Sequence, residues 1–212
     1  MLLWIRGCLN PKEMRDKIIN SNSEWQKKVI DYLESCHTGD FQTMSKEDVA
    51  KKVAENSKLE GYCDPTQTIP EAPPQECKKT HDKSEKNCKA CLQSTTWWEK
   101  FKDVVDALIL KSNVHSCERD NKWNQCKARF PRAIVKESSI DETGAIHLKK
   151  HESWINTFTP IVTYLYQCNT DVTSLSSGTA IKGVVLYISD YITKSTLKTH
   201  TIFDSIKSVF HK

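Results

Sequence analysis

A chain of 212 residues with 38% apolar content and a mean hydropathy of −0.58 can bury one good core or two small ones beneath much solvated surface. The formal net charge of +4 and pI near 8.5 permit nucleic-acid binding without demanding it. No apolar stretch reaches membrane-spanning length and the opening Met1-Leu2-Leu3-Trp4-Ile5 is too short for a signal-peptide core, so a soluble, intracellular chain forming one irregular, extended unit is expected.

Asn10-Pro11-Lys12-Glu13 predicts a helix start, with an Asn cap, Pro in the first turn and an acid three residues after the cap; this helix runs to about Ile19. A second helix is expected from about Ser23, with Trp25, Val29 and Leu33 on one stripe, ending before Gly39. Ser45-Lys46-Glu47-Asp48 caps a third, built on Val49 and Val53. Pro65, Pro70, Pro73 and Pro74 then mark a linker or an extended surface strap, followed by the lysine-rich stretch 78–89.

Ser94 is the expected cap of a helix carrying Trp97, Trp98, Phe101, Val104, Val105, Leu108 and Ile109. Residues 133–136 and 145–149 flank a turn at Asp141-Glu142-Thr143-Gly144, which predicts a hairpin. Pro160 opens a short apolar helix, a longer one spans about Thr179 to Lys194, and a last amphipathic one uses Ile202, Phe203, Ile206 and Phe210. The fold class is therefore predominantly α with minor β.

Nine cysteines in a reducing compartment should be thiols, and the odd count opposes a full disulfide framework, so metal binding leads among explanations for any cysteine cluster. Cys88-x-x-Cys91 has zinc-knuckle spacing, and His115, Cys117 and Cys126 supply further donors; four of these five can close a tetrahedral zinc site. The bland alternative is ordinary reduced cysteines in a polar segment. Cys77 is an additional candidate, whereas Cys8, Cys36, Cys63 and Cys168 are expected to be packing residues. His147 and His151 fall on a strand and its exit, where a solvated pair is expected rather than a metal site.

Lys127, Arg129, Phe130 and Arg132 form a basic cluster with one aromatic, able to contact phosphate or stack on a base, or simply to be an exposed loop. Neither a Gly-x-x-x-x-Gly-Lys-Ser/Thr loop nor a Gly-x-Ser-x-Gly elbow occurs, which excludes a P-loop motor site and a hydrolase nucleophile elbow. Tyr187, Tyr191 and Lys194 share one face of the expected helix and place two phenols beside a cation. Aromatics at that spacing are often core, but a lysine on the same face would be awkward there.

Several segments together resemble the replication-initiator (Rep) part of Helitron transposon proteins, in particular the fungal helicase-like versions. They are Trp4-Ile5-Arg6-Gly7 with Pro11, Tyr32-Leu33-Glu34-Ser35-Cys36-His37, Ser112-Asn113-Val114-His115, residues 126–132, Cys168-Asn169-Thr170-Asp171-Val172 and the helix 187–194, in the family's order along nearly the whole chain. The resemblance implies a Rep-type nuclease domain with helical and cysteine-rich insertions. It implies a reaction in which Tyr187 and Tyr191 are nucleophiles that nick and rejoin single-stranded DNA, with Lys194 near the phosphate.

The resemblance also implies a divalent cation, Mg or Mn, held in intact relatives by a His-hydrophobe-His pair. No His-x-His occurs in this sequence. Met1 aligns just past that pair, so the chain is expected to be a fragment, inactive alone and lacking the family's helicase. Its parsing is then residues 1–60, a strand remnant with helices; 61–93, a Pro/Lys-rich linker with the start of the cysteine cluster; 94–132, a helix and zinc-binding segment; and 133–212, the hairpin and two-tyrosine region. A DNA substrate places a functional chain in the nucleus. The alternatives are a zinc-stabilised, non-catalytic nucleic-acid-binding module and a transposon remnant without activity.

Overall fold

The computed structural model describes residues 6–7, 9–20, 23–77, 88–117, 126, 128–172 and 178–193. The chain divides into two compact units, where one was expected. The first contains α1 (Pro11–Asn20), the turn Glu142–Ala145 and α6 (Gly178–Thr193). The second contains α2 (Ser23–Cys36), α3 (Lys46–Asn56), α4 (Lys89–Leu108), β1 (Ser139–Ile140), β2 (Ile146–His147) and α5 (Pro160–Tyr166). The molecule is thus mostly helical with one small antiparallel sheet.

In the first unit, α1 begins with a reciprocal capping box. The Glu13 amide donates to Asn10 Oδ1 and the Asn10 amide to Glu13 Oε2, each at 2.9 Å, which satisfies two donors that a helix start leaves open. Arg15 Nε donates to the Thr143 carbonyl at 3.1 Å. Gly144 has φ +79°, a conformation that favours glycine, and a Cβ there would crowd Ile19 Cγ1 at 3.1 Å. The expected final helix over 202–210 lies outside the described residues.

The second unit is organised by α4. Phe101, Val105 and Ile109 pack with Ile155, Phe158 and Tyr164 into a buried cluster, which Phe41, Trp97, Val104 and Val114 partly cover. Trp97, Phe101 and Tyr164 have ring centroids 4.9–6.0 Å apart, within the range where aromatic pairs add to simple burial. The helix starts at Lys89, five residues before the expected cap Ser94, because Cys88 takes the cap position. A π-helical turn, Ile109–Asn113, follows it and was not anticipated. There the Val114 amide reaches back to the Ile109 carbonyl at 3.1 Å, and buried Asn113 donates its side-chain amide to the Thr170 carbonyl at 2.8 Å.

The hairpin forms around the expected turn but pairs only Ser139 with His147 and Ile140 with Ile146. The expected first strand at 133–136 contributes a single bridge, Val135 to Lys150. Glu34 of α2 ties the hairpin base, accepting from Ser138 Oγ at 2.6 Å and from Lys149 Nζ at 2.9 Å. His147 and His151 are exposed and contact separate acids, Asp141 at 3.1 Å and Asp40 at 3.0 Å.

The proline-rich stretch is a surface strap. Asp64 pairs with Lys111, Glu71 with Lys100 at 2.7 Å, and the Gln167 side-chain amide donates to the Thr68 carbonyl at 2.6 Å. Tyr164 closes the set, accepting from the Glu71 amide at 3.0 Å while donating to its carbonyl at 3.1 Å.

One buried carboxylate makes stability depend on pH. Asp106 is 1% exposed and accepts from the Gln42 amide at 2.7 Å, the Thr43 amide at 2.8 Å and the Thr43 hydroxyl at 2.6 Å. Burial nonetheless raises its pKa above the usual 3.8, outweighing those bonds. Between 3.8 and the raised value the folded state keeps a proton that the unfolded chain has released, so stability falls as pH rises through that window. Asp106→Asn should flatten this acid-side slope in urea midpoints, and should cost about 1–3 kcal/mol at neutral pH because its amide nitrogen faces a backbone donor. An unchanged slope would assign the pH dependence to another group.

Candidate metal centres and the tyrosine helix

The five expected metal ligands do not converge on one site. With Cys77 they form two triads, Cys77/Cys88/Cys91 and His115/Cys117/Cys126, each with its donor atoms within 4.8 Å of one another. Both triads can hold a metal ion such as zinc. Cys77 enters the first as a full member, although it lies 11 positions from Cys88.

The first triad is built on the amino end of α4. Cys88 is the cap residue and Cys91 lies in the first turn, where exposed amides and the helix dipole favour negative charge. The Cys77 and Cys88 sulfurs are 3.6 Å apart; a tetrahedral zinc with bonds of about 2.3 Å would hold two thiolates about 3.8 Å apart. The Cys91 amide and the Cys77 thiol lower the pKa of Cys88. Desolvation and the two neighbouring sulfurs push Cys91 up to about 11. These bonds favour a thiolate at Cys88, and its charge opposes ionisation of the neighbouring thiols, a conflict that a cation relieves.

The second triad follows the π-helical turn. The His115 amide donates to the Trp154 carbonyl at 2.8 Å, fixing the backbone from which the imidazole projects. His115 Nε2 lies 3.1 Å from Cys126 Sγ, a hydrogen-bond distance that lengthens by about half an ångström when an ion takes the proton's place. Past Cys126 the chain makes a tight turn: the Arg129 amide donates to the Cys126 carbonyl at 2.9 Å, with Arg129 in the left-handed region at φ 61°. The Phe130 amide is the largest cause of a lowered Cys126 pKa, joined by Cys117 and the amides of Ala128 and Arg129. Such a turn around a cysteine sulfur is well suited to a thiolate ligand.

The basic cluster is part of this centre. The Phe130 ring lies against the His115 imidazole with centroids 4.3 Å apart and planes 11° from parallel, and the Arg132 guanidinium carbon sits 4.6 Å from the Phe130 centroid. Arg132 Nε donates to Asn156 Oδ1 at 3.1 Å, and Asn156 in turn donates to Asp171 at 2.9 Å. Arg129 is exposed. Lys127 lies outside the described residues. Asn156 carried no signal in the sequence, because its role depends on a loop 24 residues from Arg132.

Cys63 and Cys168 are exposed, so these two are not the packing residues that the sequence suggested, while Cys36 is half-buried; Cys8 is outside the described residues. On α6, Tyr187 is 65% exposed and lies among exposed Val185, Leu186 and Ile188. Tyr191 belongs to the same helix, and Lys194 lies outside the described residues. The triads and basic cluster belong to the second unit and the tyrosine helix to the first.

No helix among the described residues is long and apolar enough to cross a membrane. Comparison with family models, curated proteins and solved structures finds no significant match.

Proposed function

We propose that this chain is the tyrosine-bearing part of a Helitron-type Rep protein, whose reaction nicks and rejoins single-stranded DNA, and that zinc at the cysteine triads holds its second unit together. The observation that supports the nucleophile assignment is Tyr187, 65% exposed on a helix that continues through Tyr191. An accessible phenol is what attack on a phosphodiester requires. Its oxygen forms a bond to phosphorus as one P–O ester bond breaks, the leaving sugar oxygen takes a proton, and reversal of the step rejoins the strand. Tyr191 allows a second transfer while Tyr187 is occupied, and Lys194 offsets charge on the phosphate.

Zinc supplies cross-linking, with Cys77, Cys88 and Cys91 as one donor set and His115, Cys117 and Cys126 as the other. The divalent cation of the Rep reaction finds no His-hydrophobe-His pair in this sequence, and no step is assigned to it. The test therefore supplies that strand as a peptide, with manganese and labelled single-stranded DNA, and reads covalent adduct on a denaturing gel. Adduct should form, persist in part with Tyr187→Phe, and vanish with Tyr187→Phe/Tyr191→Phe. Adduct that survives the double change would remove both tyrosines from the nucleophile role.

A second reading, a non-catalytic zinc-stabilised nucleic-acid-binding module, is favoured by exposed Arg129 beside the His115 centre. Salt-dependent binding of single-stranded DNA without adduct would support it.

A further inference from the structure

The grouping of Cys77, Cys88 and Cys91 needs a cause. Packing does not provide one, because Cys91 is exposed and Cys77 and Cys88 are only half-buried. Hydrogen bonding is a weak cause, since the Cys77–Cys88 contact at 3.6 Å joins a weak donor to a weak acceptor. Nor is a disulfide in place: the Cys77 and Cys88 sulfurs are 3.6 Å apart, against a bond of about 2.05 Å.

We propose that Cys77, Cys88 and Cys91 bind a thiophilic metal ion of their own, zinc in the cell, and that this ion staples the end of the strap 64–77 to the amino end of α4. The proposal deepens the zinc part of the functional reading and does not depend on DNA binding or nicking. Three thiolates select zinc, cadmium or copper(I) over magnesium, calcium or manganese. A fourth donor, water or a side chain, completes the tetrahedron.

The fold gives this staple a place to act. The strap is anchored from Asp64 to Glu71 by Lys111, Lys100, Tyr164 and Gln167. At the strap's far end, Cys77 brings its sulfur to the helix cap, and the ion extends the anchorage to that end. The amino end of α4 suits the site because three thiolates around a divalent ion carry net negative charge, which the helix dipole stabilises.

Cadmium-113 NMR of the full-length chain, with metal stoichiometry by native mass spectrometry, tests the proposal. Two bound ions and two resonances are expected, the more deshielded one from the all-sulfur site. Cys91→Ser should lose that resonance and one ion, while Cys117→Ser should lose the other. A parent chain with no strongly deshielded, all-sulfur resonance would overturn the proposal even if Cys91→Ser failed to fold. So would a folded Cys91→Ser chain that kept both ions. If instead Cys117→Ser changes nothing while Cys91→Ser removes the only deshielded resonance, the His115 centre fails as a zinc site and the cysteine staple stands.

Discussion

Truncation of Phe158 to alanine should destabilise the second unit by about 3–5 kcal/mol. Few domains tolerate that easily, since total stability is of order 5–15 kcal/mol. Phe158 is 0% exposed and is the largest fully buried side chain among the described residues. Its neighbours Phe101, Val105, Ile109, Ile155 and Tyr164 come from α4, the π-helical turn, the preceding loop and α5, so a cavity there has walls on four elements that cannot close together. The Phe158 backbone also pairs with Thr38 through two hydrogen bonds, at 2.9 and 2.8 Å, which restrains relaxation of its own segment. The effect should reach the metal site, because the loop before Phe158 supplies the Ser153 and Trp154 carbonyls that hold Arg132 and His115. Urea unfolding followed by Trp97, which stacks on Phe101, measures the loss. Leu165→Ala, at a 58% exposed position on α5, provides the contrast and should fall within about 0.5 kcal/mol of the parent. Equal losses in the two variants would mean that the cluster around Phe158 is not the core.

Much of this architecture was legible where local chemistry decides it. Asn10, Pro11 and Glu13 announce α1, and Ser45, whose hydroxyl accepts from the Asp48 amide at 3.2 Å, announces α3. Pro160 marks α5, and Gly144 marks the hairpin turn. The start of α4 was not legible, because a cysteine is an uncommon cap and Ser94 offered a more familiar one inside the helix. The π-helical turn had no signature, since it depends on Asn113 finding the Thr170 carbonyl 57 residues away. Individual metal donors could be read from spacing. Their division into two centres could not, because it depends on where the strap delivers Cys77 and on Cys126 lying against His115. Exposure of Cys63 and Cys168 is likewise a tertiary outcome that composition leaves open.

Phe130 is where the two meanings of the basic cluster separate, and Phe130→Leu should weaken metal binding at the His115 centre by about 10–100-fold. An aromatic in a basic segment can be a platform for a base or a brace for a ligand. Here the ring lies 4.3 Å from the His115 imidazole and almost parallel to it, so it restricts the rotation that would carry Nε2 away from Cys126. Leucine keeps the bulk, and the backbone amide facing the Cys126 sulfur does not depend on the side chain; the loss should therefore come from the stacked face. Chelator competition with zinc or cobalt measures it, and Phe130→Tyr should restore it because the ring is retained. DNA affinity of the metal-saturated protein then distinguishes the roles. A base platform would cost about 1–3 kcal/mol when removed, whatever the metal loading. A brace leaves affinity within about twofold once the site is filled, while Arg129→Ala, on the exposed side chain, lowers the salt slope by about one phosphate contact. Unchanged metal affinity with lost DNA affinity would return Phe130 to the platform role and leave His115 oriented by its backbone alone.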